Sequence, residues 1–572
     1  MPFSRSIVKV TFVAALMILS VPSAFPQNVP PSDNAGSQAE RFRMESEKRE
    51  AELKGKKTVD KITVEEEKKT PAEEKITFLL KSVKITGATR YPPETFRPYY
   101  EGRLGKEVSM EDLDSILEQI KARYAKDGYL TANVYLPEQD IAAGAVEIRV
   151  LEGKMGELVI EGNKWRKTSS IRRYFHTGKD DLLSVSGLQK DLLRLNSQSD
   201  FEATTVLAPG KELGTTDVTL KVKDHFPWHV GTSVDNQGTR LTGKYRSGMT
   251  VRSSNVSGFD DTFFSNTMLS DHSVSQYAHY EAPLSSYGTA AGFDYTFSEN
   301  MIGKEYRSNK ISGTTHMFNS YLSQELYLSE QTDVKATTGM DIVRSTKEVV
   351  DTMTNHDELR LLYGALAATF NDKMGQSIFR PKFNFSTDGF LGASHRGHPS
   401  ASRNGTGGFF FKYEQDVTRI QKMPFQSYAI LHSTMQVPTH TLPSSEQFQL
   451  GGYYTVRGYP EGDYLADWGF QFNCDWIFPV YGMPETWKLP FSKTALKRQL
   501  EPVVFVDHGY GRIKKVQSGE QKDKFLMGLG GGLRYRFDKY FSVRAEWAAA
   551  VGDRPQAGAG ASDFHLLFQL EV

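Results

Sequence analysis

The sequence predicts a multidomain chain ending in a transmembrane antiparallel β-barrel of about 16 strands, preceded by two small α+β domains and an N-terminal helix. Three observations carry this reading. From Trp228 onward, apolar and polar residues alternate in long runs broken by Gly, Asn, Asp and Ser turns. Residues 76–226 run twice through one order of strands and helices. The composition is also too polar for a bundle of membrane helices, at 39% hydrophobic residues and a mean hydropathy of −0.46. A barrel escapes that exclusion, because every second residue of a strand faces a polar lumen. Lys+Arg and Asp+Glu are 69 each, which argues against a nucleic-acid protein carried by basic excess. The single cysteine, Cys474, excludes internal disulfides and a cysteine-rich zinc site.

Residues 1–27 read as a secretory signal peptide. Arg5 and Lys9 supply its basic start, and the apolar run Val10–Val21 is too short to span a bilayer. Residues 28–75 are expected to form a charged helix and linker. Pro30, Pro31, Ser32, Asp33, Asn34 and Gly36 mark a loop. Gln38–Lys54 then consists of good helix formers with almost no apolar face. Residues 40–75 hold 11 acidic and 11 basic side chains, so opposite charges can pair along it. A helix polar on every side lies in water, bridges domains or fills a wet cavity. A solvated linker and a plug inside the barrel both fit that description.

The first α+β domain is expected over 76–153. Phe78–Thr86 reads as a strand ending at Gly87, and Pro92–Pro93 open a short helix to Tyr100. Ser109 and Asp112 resemble a capping box starting a helix to Lys126, with Leu113, Ile116, Leu117 and Ile120 on one face. After Gly128, Tyr129–Leu136 and Ala145–Leu151 read as strands. The second domain, 154–226, repeats the order with a strand at Glu157–Glu161, helices at Thr168–His176 and Ser186–Asn196, and strands at Phe201–Leu207 and Asp217–Lys223. The turns Gly87-Ala88-Thr89 and Gly162-Asn163-Lys164 correspond, as do the strands Val146–Val150 and Val218–Val222. Such domains serve as spacers, or their strand edges receive an extended polypeptide by β-augmentation. The candidate edge carries Tyr129, Thr131, Asn133 and Tyr135, beside the helix Glu111–Lys126.

The barrel is expected over 227–572. Leu533, Tyr535 and Phe537 alternate with Arg534 and Arg536; Phe541, Val543, Ala545 and Trp547 alternate with Ser542, Arg544 and Glu546. Phe470, Phe472, Cys474, Trp476 and Phe478 alternate with Gln471, Asn473, Asp475 and Ile477. Strands of soluble sandwiches average about 5–6 residues, whereas membrane strands need roughly 9–11, the length several of these runs reach. Strand starts are expected near residues 228, 243, 262, 275, 287, 311, 331, 357, 375, 405, 426, 466, 500, 524, 540 and 562. A barrel of that width encloses an aqueous channel unless something plugs it. Between the strands near 426–437 and 466–480 lies a long loop containing Gly451-Gly452-Tyr453-Tyr454-Thr455-Val456-Arg457-Gly458-Tyr459. One Arg among Tyr and Gly suits a loop folded back into a pore toward a carboxylate. Phe505-Val506-Asp507-His508-Gly509 on a later strand offers Asp507.

In this order the elements resemble the two-partner secretion outer-membrane transporters, of the haemolysin secretion/activation and filamentous-haemagglutinin transporter type. These belong to a superfamily of barrels carrying polypeptide-transport-associated (POTRA) domains. Val456-Arg457-Gly458-Tyr459 matches that superfamily's VRGY/F motif at the tip of the sixth extracellular loop. Phe505–Gly509 resembles the motif on its thirteenth strand, whose Asp pairs with the loop Arg. One departure is the last residue, Val572, where family barrels usually end in an aromatic; Phe568 stands four positions earlier.

The resemblance implies a pore in the bacterial outer membrane with its POTRA domains in the periplasm and its lumen closed by the N-terminal helix and the folded-in loop. An unfolded exoprotein is captured in the periplasm and passed to the cell surface without nucleotide hydrolysis. The implied partners are a large secreted exoprotein of adhesin or cytolysin type, outer-membrane lipid, and the barrel assembly machinery during biogenesis. Nucleic acid and cofactors are not implied. A barrel-insertion factor shares the fold and both motifs, but such factors usually carry more than two POTRA domains. A passive porin has no use for peptide-binding domains. No catalytic constellation is legible. Gly528-Leu529-Gly530-Gly531-Gly532 lacks a following Lys-Ser/Thr and lies in a strand pattern, so it reads as barrel wall. Cys474, on an apolar face, reads as an inert thiol.

Overall fold

The computed structural model describes residues 33–53, 63–64 and 77–572, apart from 142, 491, 493, 518–519, 539 and 557–559. The expected signal peptide and most of the expected linker lie outside the described residues.

The C-terminal strands close into one antiparallel barrel. They are β1 (Trp228–Asp235), β2 (Arg246–Ser253), β3 (Thr262–Ser270), β4 (Ser273–Pro283), β5 (Thr289–Met301), β6 (Ile311–Leu328), β7 (Thr332–Val349) and β8 (Thr352–Asp372). The second half comprises β9 (Gly375–Ser386), β10 (Phe411–Lys422), β11 (Tyr428–Pro438), β12 (Trp468–Ile477), β13 (Leu500–Arg512), β14 (Asp523–Phe537), β15 (Phe541–Ala550) and β16 (Ser562–Glu571). β1 closes on β16 through five pairs, from Gly231↔Glu571 to Asp235↔Leu567. All sixteen expected strands are present. The two largest displacements are β10, which starts at Phe411 rather than near 405, and β8, which starts at Thr352 rather than near 357. The second has a local cause. Val350 (φ 51°) and Asp351 (φ 60°) both take left-handed backbone, the tight hairpin turn that keeps two strands paired to their ends.

The helix α1 (Ala35–Leu53) lies in the lumen. Its partners surround it. Arg49 donates to Ser233 of β1 at 3.0 Å, Arg246 of β2 to Glu45 at 3.0 Å, and Asn266 of β3 to Ser46 at 3.0 Å. Arg43 reaches Asp341 of β7 at 3.5 Å, and Arg544 of β15 donates to Glu52 at 2.9 Å. A charge-lined cavity therefore replaces the apolar face that an ordinary docked helix needs. The expectation of almost no apolar face needs one correction. Ala39 packs with Met317, Val343 and Phe410, and Phe42 with Phe264, Met268 and Tyr277, on two small apolar sites of the inner wall.

Two small sheets precede the barrel. In the first, Ala145–Leu151 lies between Ser82–Thr86 and Asn133–Tyr135 and is covered by α2 (Met110–Lys126), whose start is the expected Ser109–Asp112 capping box. The expected strand Phe78–Thr86 is two strands. Thr77–Leu79 pairs with Glu107–Ser109, and Ser82–Thr86 pairs with Ala145–Leu151. The break falls where the amides of Lys81 and Ser82 both donate to the Gly144 carbonyl. In the second sheet the order is Thr63–Val64, Phe201–Pro209, Thr215–Asp224, Lys154–Glu161, and α3 (Val185–Asn196) packs its leucines beneath it. Thr63–Val64, from the stretch expected to be linker, pairs in parallel with Val206–Leu207. The helix expected at Thr168–His176 stops at Arg172, because His176 turns away to Asp191 of α3 and Ser286 of the barrel.

The internal repeat has a physical basis. Gly87 and Gly162 both have left-handed φ, and a Cβ on either would come within 2.1 Å of the Val150 carbonyl or 2.3 Å of the Val222 carbonyl. Two residues beyond those carbonyls stand Glu152 and Asp224. Glu152 accepts the amides of Thr89 and Arg90; Asp224 accepts those of Lys164, Trp165 and Arg166. Each module thus clasps its first turn with one carboxylate. Burial alone would raise the Glu152 pKa, but the bonds from Thr89, Arg90 and Tyr124 hold it below its usual value.

Candidate loop site at the barrel wall

The second module touches the turn between β2 and β3, where Arg166 pairs with Asp260 and Ser170 donates to the Gly258 carbonyl. That end of the barrel is the module end. Loop 439–467, between β11 and β12, opens from the opposite end and is the sixth connection there in chain order. Its stem is a hairpin of Phe448–Leu450 with Tyr464–Ala466. The tip between them turns inward. Gly451, Gly452, Gly458 and Gly462 all have φ between 63° and 106°, which tightly reversing backbone requires.

Each residue of Val456–Tyr459 has a separate task. Val456 is fully buried against Leu450, Tyr464 and Leu526. Arg457 donates from Nε and Nη2 to the two oxygens of Asp507, both at 2.7 Å, while its own amide donates to Asp507 Oδ2 at 3.0 Å. Nη1 donates to Glu546 at 2.9 Å, and Nη2 also reaches Asp475. Gly458 lies so close to β15 that a Cβ would sit 2.9 Å from the Ala549 carbonyl carbon. The Tyr459 hydroxyl accepts the Gly552 amide at 3.0 Å. Gly528 of β14 leaves the room this needs, since a Cβ there would come 2.1 Å from the Arg457 carbonyl oxygen.

Alternation aims Asp507 of β13 into the lumen, as it does Asp475 of β12 and Glu546 of β15. Arg534 of β14 completes the cluster, donating to Glu546 at 2.7 Å and to Asp475. Asn473 donates to Asp507 at 2.8 Å and also to the Thr455 carbonyl. Two guanidinium groups therefore face three carboxylates, with the side chains of Asp507 and Glu546 both 0% exposed and that of Arg457 5%. The Arg457 guanidinium lies 3.4 Å from the centre of the Phe505 ring, which closes its remaining face. The forked donor joins three strands to one loop, which a lysine ammonium cannot do. Asp475, Glu546 and Arg534 are the residues that sequence reasoning missed as site members. Their parity on the polar face was visible, but their meeting was not.

Of the four candidate edge residues, two lie on the edge. Asn133 and Tyr135 belong to a three-residue outer strand, paired on one side with Ala145–Leu151. Tyr129 and Thr131 do not. The left-handed Gly128 ends α2, the Tyr129 amide donates back to the Tyr124 carbonyl at 2.9 Å, and the Tyr129 ring meets Tyr124 edge-on at 6.4 Å. The chain is still turning there, and Thr131 lies against Gly153.

A sixteen-stranded barrel with a charged helix in its lumen, a sixth loop bound to its inner wall and small α+β modules at its base defines an outer-membrane polypeptide-transport barrel. Residues 214–535 match the family described as haemolysin secretion/activation protein ShlB/FhaC/HecB, and the chain belongs to that family. Residues 78–153 match the ShlB-type POTRA domain. The heme/hemopexin transporter protein HuxB of Haemophilus influenzae is 24% identical over 470 residues, which span 75% of this chain and 76% of HuxB. The outer membrane transporter CdiB-2 of Burkholderia pseudomallei is 24% identical over 497 residues, 80% of this chain and 78% of CdiB-2. Among solved structures, CdiB from Escherichia coli superposes with a TM-score of 0.71 at 16% identity, covering 95% of this chain and 99% of that one. BamA from Haemophilus ducreyi lacking POTRA domains 1–3 gives 0.52 at 13% identity, covering 86% of this chain and 100% of that one. The protein is an outer-membrane transporter of two-partner secretion, with periplasmic POTRA domains and a large secreted exoprotein as its partner.

Proposed function

We propose that the periplasmic modules, 76–153 and 154–226, capture the exoprotein in extended form, and that it crosses the 227–572 barrel when α1 and loop 439–467 move aside. One observation carries this reading. Helix α1 is held in the lumen mainly by hydrogen bonds and ion pairs to the wall, with only Ala39 and Phe42 in apolar clusters. Water in the channel resolvates such groups when the helix leaves, so its exit costs little hydrophobic burial. The cargo that fits is a large adhesin or cytolysin. The lipid-facing strands contact outer-membrane lipid, and the barrel passes through the assembly machinery during biogenesis. The Val456–Tyr459 loop and Asp507 act as a lock that sets the loop's position.

Deleting the gene and comparing secreted proteomes tests the reading. Loss of one large exoprotein is the expected result; a broad loss of membrane barrels would favour an insertion factor instead. Capture by the outer strand is tested by Asn133→Pro and Val134→Pro. Successive amides of a strand point to opposite sides, so one of the two replacements removes a donor at the open edge. Secretion should fall in that variant while the barrel still inserts, and normal secretion from both would move capture to another edge.

A further inference from the structure

The second module carries an exposed aromatic and basic surface apart from the loop site. The rings of Trp165 and Phe226 meet edge-on at 5.1 Å, yet the two residues are 51% and 54% exposed. Two such rings packed together at a water-facing surface need a reason. Their position supplies one. On β1, Ser233 and Asp235 face the lumen, where they bind Arg49 and Arg246, so Trp228, Val230 and Val234 face lipid. Trp228 stands at the module end of that strand and meets the lipid-facing Phe263 of β3 at 6.5 Å. Phe226 lies two residues before Trp228; both are exposed, and Pro227 between them is buried. The Trp165–Phe226 pair therefore continues the aromatic band of the barrel downward onto the module.

The module is fixed in that position. The turn carrying Trp165 is clasped by Asp224, and Arg166 is buried on Asp260, a residue of the β2–β3 turn. Asn255 of the same turn donates to the Trp165 carbonyl at 3.4 Å. Around the rings, Lys164, Lys167 and Arg172 are exposed, and the Lys167 ammonium lies 5.0 Å from the centre of the exposed Phe259 ring. Of the neighbouring carboxylates, Asp224 and Asp260 are buried and already engaged, and Glu161 is exposed at the end of the strand leading into this turn. Exposed rings with a fringe in which exposed cations outnumber carboxylates suit a membrane–water interface, where indole rings rest at headgroup depth and cations meet lipid phosphates.

We propose that Trp165 and Phe226, with Lys164, Lys167 and Arg172, seat the second module on the periplasmic leaflet of the outer membrane, with a preference for anionic phospholipid. Lipid then holds the module beside the barrel rim and keeps its outer edges turned toward cargo.

The test uses the full-length chain in nanodiscs. Emission from Trp165 is obtained as the difference between the unaltered protein and Trp165→Phe, and emission from Trp228 likewise with Trp228→Phe. With brominated phospholipid, the Trp165 signal should be lost to an extent comparable with that of Trp228. Bromine on phosphatidylglycerol should quench more than the same amount on phosphatidylcholine. The difference should vanish when Lys164, Lys167 and Arg172 are all changed to Gln. A nitroxide at Thr168→Cys in a Cys474→Ser background gives a second reading, with Leu213→Cys as the control. Leu213 is 87% exposed on the hairpin that packs against Leu151 of the first module, at the far end of strands that start beside the barrel. The Thr168 label should be more accessible to oxygen than to a water-soluble nickel chelate, and the Leu213 label the reverse. Trp165 emission indifferent to bromine, or a Thr168 label as open to nickel as Leu213, overturns the proposal. Equal quenching by the two headgroups overturns its anionic preference.

Discussion

Replacing Arg457 by Ala removes one guanidinium from a cluster of three carboxylates. Asp507 keeps only the Asn473 side chain at 2.8 Å and the backbone amide of residue 457 at 3.0 Å, both uncharged donors. Glu546 and Asp475 keep Arg534. Breaking a fully buried ion pair costs about 3–5 kcal/mol. Here Arg534 remains and the Asp475 side chain is 15% exposed, which places the cost at the lower end, near ~3 kcal/mol. That is roughly two powers of ten in the ratio of docked to released loop. Hydrogen exchange of the amides of residues 451–462, in the full-length protein in nanodiscs, reads this ratio directly. Their protection should fall about a hundredfold, and secretion of the exoprotein should fall with it. Arg457→Lys should recover only part, because an ammonium cannot fork onto both oxygens of Asp507 while still holding Glu546. Asp507→Ala should resemble Arg457→Ala, and the double variant should lose less than the sum. Unchanged protection in Arg457→Ala, or fully additive losses, would refute the lock.

Three further outcomes are expected. Deleting residues 33–53 should leave a folded barrel with larger or more frequent openings in a planar bilayer, because strand pairing does not depend on α1; unaltered conductance would remove the helix from control of the pore. Gly528→Ala places a methyl 2.1 Å from the Arg457 carbonyl oxygen, so the loop should be displaced at a cost of about 1–3 kcal/mol, seen as lost loop protection in a normally paired barrel. The depressed pKa of Glu152 gives the first module a stability term with a defined sign. The term is present above the unfolded-state value of about 4.3 and is lost as pH falls through the lower folded-state value. Glu152→Gln should cost about 2 kcal/mol at neutral pH and flatten the module's acid-side unfolding curve; an unchanged acid profile would show that the clasp does not set it.

The sequence by itself determined the barrel, its strand number, the repeated module and the Arg457 loop. These features are written in short-range patterns. Period-two alternation decides which side chains of a strand face the lumen, so Asp507, Asp475 and Glu546 were on the polar face before any fold was known. Glycines that only left-handed backbone can use, such as Gly87 and Gly162, mark turns wherever they fall. Ser109 and Asp112 start α2 through hydrogen bonds within one helical turn. Where short-range forces compete, the pattern misled. Tyr129 and Thr131 look like strand residues, but the C-terminal turn of α2 claims the Tyr129 amide first. Phe78–Thr86 looks continuous, but its two halves pair with different strands.

Tertiary structure alone decided which inward residues meet. Asp475, Asp507, Arg534 and Glu546 lie on four neighbouring strands, and the closure of the barrel sets the stagger that brings them to one level. The polar helix found its place in the same way. Nothing within Gln38–Lys54 distinguishes a solvated segment from a plug, because its stabilising partners, among them Arg246, Asn266, Asp341 and Arg544, lie hundreds of residues away on a wall that exists only once the barrel has closed.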